Sequence, residues 1–102
     1  MTFGLKILPF AKGDIQDSIR WYNRKQHGLG ARFHAEVKQT FEHLKTYPHF
    51  QNRYDDVRCI PLNKFPFMVH YTVSVENTQV VVHAVFHTSL HPKLWTGRKG
   101  QQ

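Results

Sequence analysis

The chain has 102 residues, enough for one domain with a modest core, and its 40% hydrophobic and 14% aromatic content excludes a disordered polypeptide. Fourteen Lys and Arg against seven Asp and Glu give a charge of +7, which points to an anionic partner: nucleic acid, an acidic protein segment or an anionic membrane. Cys59 is the only cysteine, so no intrachain disulfide forms; with no signal peptide or membrane-length apolar run at the start, a cytoplasmic protein is expected.

Residues 3–10 read as a first strand with Leu5 and Ile7 on one side. Ala11-Lys12-Gly13-Asp14 breaks it, and Asp14 is expected to cap or open the first helix. Ile15, Ile19 and Tyr22 follow at helical spacing, and His27-Gly28 stops this helix near Gln26. Leu29-Gly30 opens a second helix whose stripe is Phe33, Val37, Phe41 and Leu44, and Tyr47-Pro48 ends it. The short link at 27–30 implies an antiparallel helix pair.

Residues 49–56 are polar and read as a loop. Residues 57–62 form a second strand, with Cys59 as a buried structural thiol and Pro61 marking an edge or a bulge. Two longer strands, 66–75 and 79–87, are rich in Val, Phe, Tyr and Thr and flank the turn Glu76-Asn77-Thr78. The tail at 91–98 is basic and aromatic. The order is strand, two antiparallel helices, then a three-stranded antiparallel meander: one α+β domain with both helices on one face of an antiparallel sheet.

Strand alternation assigns the faces. In 66–75, Phe67, Val69, Tyr71, Val73 and Val75 point one way, and Met68, His70, Thr72 and Ser74 the other. In 79–87, Val80, Val82, Ala84 and Phe86 oppose Val81, His83, Val85 and His87. The helices cover the apolar face, and the second face is expected to collect His70, His83 and His87. Arg58 belongs to the neighbouring strand, its face left open by a possible bulge at Pro61. His83, His87 and His91 are spaced by four, but on a strand four residues span about 13 Å, too far for shared ligation, so no metal and no cofactor is expected.

The ordered set Ala11, Asp14-Ile15, Trp21-Tyr22, Gly28-Leu29-Gly30, Phe33, Val37, Leu44 and Pro48, then Arg58, Phe65-Pro66-Phe67, Tyr71, Val82, Ala84-Val85, His87, Pro92, Trp95 and Arg98, resembles the RelE/ParE toxin superfamily. These are toxins of type II toxin–antitoxin modules, also called plasmid-stabilisation proteins. The resemblance spans nearly the whole chain and implies two antiparallel helices packed on a curved antiparallel sheet. It also implies a cognate antitoxin whose extended acidic segment wraps the toxin, and no membrane partner. RelE-like members cleave mRNA in the ribosomal A site, whereas ParE-like members inhibit DNA gyrase. Many members carry a basic residue about three positions after the strand histidine; here that position is Leu90, with Lys93 and Arg98 nearby to supply charge.

An RNA-cleaving toxin needs a proton carrier and cations on the scissile phosphate. The expected catalytic set is Arg58, His87 and Arg98, with His83 and His91 as further candidates. Histidine exchanges protons near neutral pH, and arginine clamps phosphate. Lys93, Trp95, Arg20 and Arg24 are the candidates for nucleic-acid or target binding. The histidines favour ribosome-dependent cleavage; the alternative is a gyrase inhibitor acting through a basic, aromatic surface that includes Arg20, Trp21, Arg24 and Lys25. A basic RNA-binding module with bystander histidines ranks last, because no aromatic RNP-type strand is present.

Overall fold

A computed structural model describes residues 2–50 and 52–89. The elements are β1 (Gly4–Ile7), α1 (Pro9–Lys25), α2 (Leu29–Thr46), β2 (Asn52–Tyr54), β3 (Val57–Pro61), β4 (Phe67–Ser74) and β5 (Gln79–His87). They form one five-stranded sheet in the order β1-β5-β4-β3-β2, with the helix pair packed on it. The α+β order of strand, two helices and meander is therefore the observed one. The sheet is mixed rather than wholly antiparallel, because β1 pairs parallel with β5. It also has one strand more than expected: β2 forms within the stretch read as a loop, as a three-residue antiparallel partner of β3.

The first helix begins five residues before the expected Asp14. Pro9 takes the first helical position after the extended Leu8. Its fixed φ suits the first turn, and the N–H it lacks would have no helical partner there. Asp14 therefore lies inside α1 and is not a cap. At the other end α1 stops at Lys25, as expected. Gly28 sits at φ 86° before α2, a left-handed conformation that favours glycine. Gly30 is where the helices touch: a Cβ there would stand 2.5 Å from the Ile19 carbonyl oxygen, and the Gly30 N–H donates to Asn23 Oδ1 at 2.8 Å.

The helix stripes were legible. Phe33, Val37, Phe41 and Leu44 are all buried, as are Ala11, Ile15 and Tyr22. They meet Phe67, Val69, Tyr71, Val80, Val82 and Val85 from the sheet. Where α1, α2 and β4 converge, Tyr22, Phe33, Phe65 and Phe67 stack edge-on or tilted, with centroids 4.9–6.1 Å apart.

One half of β5 departs from simple alternation. The register runs Tyr71↔Val82 and then His70↔Ala84, leaving His83 as an extra residue. A one-residue bulge inverts every side chain beyond it. Val85 and His87 therefore share the helix face with Val80 and Val82, while Ala84 and Phe86 turn to the far face. The expectation that His70, His83 and His87 share a face is corrected accordingly: His87 is on the opposite side from the other two.

Candidate functional site

The far face is not an open histidine surface. His70 is wholly buried, and its Nδ1 lies 3.1 Å from the Tyr54 hydroxyl and 3.3 Å from Cys59 Sγ. Phe86 contacts the same ring edge-on at 5.3 Å. Burial pushes the Cys59 thiol up to about 11, with Arg53 opposing part of that rise. The thiolate is thus scarce at neutral pH, and Cys59 is a structural residue rather than a nucleophile. Burial likewise raises the Tyr54 hydroxyl, with Cys59 and Asp55 adding to the effect. His83 is also buried, with Nε2 2.9 Å from Thr72 Oγ1.

On the helix face, β5 ends in a cleft. Ser18, Trp21 and Tyr22 of α1, Pro66 and Phe67, and His87 and Ser89 line about 410 Å³. The sequence produces this locally in two ways. The bulge turns His87 toward α1, and the Phe67↔His87 pairing stacks the imidazole edge-on against Phe67 at 5.3 Å. The Ser89 N–H donates to His87 Nδ1 at 3.1 Å, and Ser89 Oγ lies 2.7 Å from the same nitrogen. Nδ1 is therefore an acceptor, and in the neutral ring the proton resides on Nε2.

The rim of this cleft on α1 is basic and aromatic. Trp21 is 47% exposed, and the Lys25 ammonium sits 4.9 Å from its ring centroid. That contact is a cation–π pairing on an exposed surface. Arg20 and Arg24 flank it on the exposed side of the helix, with Arg20 paired to Asp17 at 2.5 Å.

Arg58 is placed elsewhere. It pairs with Tyr71 in register, which puts it on the helix face, and its guanidinium donates to the Phe50 carbonyl. Tyr71 makes a similar strap, donating from its hydroxyl to the Pro48 carbonyl at 2.8 Å. Burial pushes that hydroxyl up to about 12, opposed by a hydrogen bond with the Phe50 backbone and by the Arg58 charge. Arg58 and His87 stand two strands apart and four β4 positions apart, about 16 Å between Cα atoms. The described residues thus do not bring them together. Arg98, His91, Lys93 and Trp95 lie outside the described residues. Ser18 and Ser89 were missed as cleft residues; neither carries a motif, and only the bulge reveals them.

The chain matches, over residues 5–91, the family described as ParE toxin of type II toxin–antitoxin system, parDE. Among curated protein sequences, none matches the chain. Solved structures share its fold at low identity. The chromosomal ParDE toxin–antitoxin system from P. aeruginosa matches with TM-score 0.73 and 14% identity, over 84% of this chain and 96% of that one. A mutant E. coli toxin RelE in the free state matches with TM-score 0.74 and 15% identity, over 99% and 98%. The RelBE2 toxin–antitoxin complex from Mycobacterium tuberculosis gives 0.59 and 15%, over 85% and 92%. The helix pair on a five-stranded sheet and the match across residues 5–91 lead to one conclusion: this chain belongs to the ParE toxin family, within the RelE/ParE superfamily of type II toxin–antitoxin toxins.

Proposed function

We propose that this toxin arrests growth by inhibiting DNA gyrase, using the basic, aromatic rim of α1 and the adjoining cleft at His87. The observation that carries this reading is Trp21: a large side chain left 47% exposed on a helix that also presents Arg20, Arg24 and Lys25. Exposed Trp and Arg anchor partner surfaces far more often than their abundance suggests, because each contributes a large contact area. The ParE family match supports the same direction. A cognate antitoxin with an acidic segment is the proposed silencing partner, its charge opposing the toxin's +7. The similar structures of ParDE and RelBE2 are those of a toxin–antitoxin system and a toxin–antitoxin complex, which supports an antitoxin partner here.

Ribosome-dependent mRNA cleavage is the second reading, favoured by His87 in its cleft. In that mechanism His87 serves as the proton carrier, while Arg98 and Lys93 supply cations and Trp95 stacks on a base. His91 is a further proton carrier, whereas His83 is held in the sheet by Thr72. Arg58 contributes there only if its strap to Phe50 is released. Two assays on the purified toxin separate the readings: gyrase supercoiling, and cleavage of mRNA on programmed ribosomes. Inhibited supercoiling with intact mRNA is the expected result. Cut mRNA with normal supercoiling replaces the gyrase reading with the second.

A further inference from the structure

β5 loses its outer neighbour halfway along. β1 pairs only with Gln79–Val82, and the Leu8 N–H makes the last such contact, donating to the Val82 carbonyl at 3.0 Å. From Pro9 onward the chain is helical, so the outer edge of β5 meets α1 rather than a strand. There the Val85 N–H donates to Asp14 Oδ2 at 3.1 Å, across 71 residues of sequence. Val85 is the second residue after the extra His83, just where the inverted register begins.

We propose that Asp14 is the positioning residue of the cleft: its carboxylate holds the β5 bulge, and the bulge decides that His87 faces α1. This rests on the reading of the cleft as the target-binding site. Helix and strand geometry supports the assignment. Four helical residues advance about 6 Å and two strand residues about 6.6 Å, so α1 and β5 stay in step. With Asp14 opposite Val85, Ser18 falls opposite His87, and Trp21 and Tyr22 fall opposite Ser89, which matches the lining of the cleft. Without a bulge, simple alternation sends His87 to the far face with His70. A charged acceptor suits the role, because a hydrogen bond to a carboxylate is stronger than one to a neutral oxygen.

The test uses purified wild type, Asp14→Asn and Asp14→Leu, each checked by circular dichroism. Asparagine keeps an acceptor at the same reach, and leucine removes it while remaining a good helix former. Nuclear Overhauser contacts between the His87 and Phe67 rings report the face, and hydrogen exchange at the Val85 amide reports the bond. Asp14→Leu is expected to lose both, with Val85 exchange accelerated at least about tenfold; Asp14→Asn is expected to keep the ring contact. If Asp14→Leu keeps the ring contact and the Val85 protection, the proposal is overturned. Should Asp14→Leu fail to fold, two measurements still decide. The Val85 amide shift in the wild type must follow ionisation of the Asp14 carboxyl, and Val85 exchange in Asp14→Asn must exceed that of the wild type; absence of either overturns the proposal. Gyrase inhibition is measured in parallel. A variant that loses the ring contact yet still inhibits gyrase supports the positioning role and removes the cleft from target binding.

Discussion

His70 on β4 and His87 on β5 lie three register steps apart near the middle of one sheet, yet their surroundings are opposite. His70 is sealed on the far face among Tyr54, Cys59 and Phe86, with Nδ1 satisfied inside the protein. His87 is only half-buried, lies against Phe67 at the mouth of a cleft and is oriented by Ser89. A histidine with buried polar partners specifies packing, whereas one held by a turn at a cleft mouth can meet a ligand. Residue type alone did not separate the two; the single extra residue in β5 did.

That contrast can be broken most forcefully at the helix-face core. Phe33→Ala should lower stability by about 3–5 kcal/mol in urea denaturation, since Phe33 is wholly buried among Tyr22, Phe65 and Phe67. A loss under about 1 kcal/mol would show that the aromatic cluster is not the main core. His70→Ala tests the far face. It opens a cavity and strips the Tyr54 hydroxyl of a partner, so a loss of about 2–4 kcal/mol is expected. Gyrase inhibition per folded molecule should stay at the wild-type level; a specific loss would make the far face functional after all.

Tyr71→Phe is a smaller change. Losing the bond to the Pro48 carbonyl should cost about 1 kcal/mol at neutral pH. It should also alter the alkaline limb. The folded Tyr71 hydroxyl sits at about 12 against an ordinary 10.0, and the Cys59 thiol at about 11 against 9.0. Both folded pKa values are raised, so their contribution is complete below the unfolded values and is lost as pH climbs through the folded ones. Wild-type stability should therefore fall between about pH 9 and pH 12, and Tyr71→Phe should fall less steeply above pH 10. Equal slopes in urea melts across that range would contradict the assignment. Smallest of all, Arg20→Ala should change stability by under about 0.5 kcal/mol, because the pair with Asp17 is exposed on both sides.

The helices were readable because each carries a period of three to four with clear stops: Phe33, Val37, Phe41 and Leu44 before Tyr47-Pro48. The start of α1 was not, because Asp14 resembles a cap while Pro9 looks like part of a strand. Its carboxylate instead reaches a backbone N–H 71 residues away, a contact with no local signature. β2 escaped notice because three polar residues become a strand only when β3 is beside them. The faces of β4 followed from alternation. Those of β5 held as far as His83 and inverted from Ala84 onward, since a bulge within Val-His-Ala-Val leaves the local composition unchanged. Cys59 was recognised as structural from its apolar run, and its burial agrees.

Target recognition is proposed to belong to the α1 rim and the His87 cleft. The most direct measurement is the toxin concentration needed for half-maximal inhibition of gyrase supercoiling by Trp21→Ala/His87→Ala, with urea denaturation to establish folding. Trp21 is exposed and His87 only half-buried, so stability should fall by no more than about 1 kcal/mol. Removing one aromatic anchor and its neighbouring ring should raise the required concentration about 10- to 30-fold, equivalent to about 1.4–2 kcal/mol of binding. A folded double variant that inhibits supercoiling at the wild-type concentration would mean that the target is recognised elsewhere on the toxin.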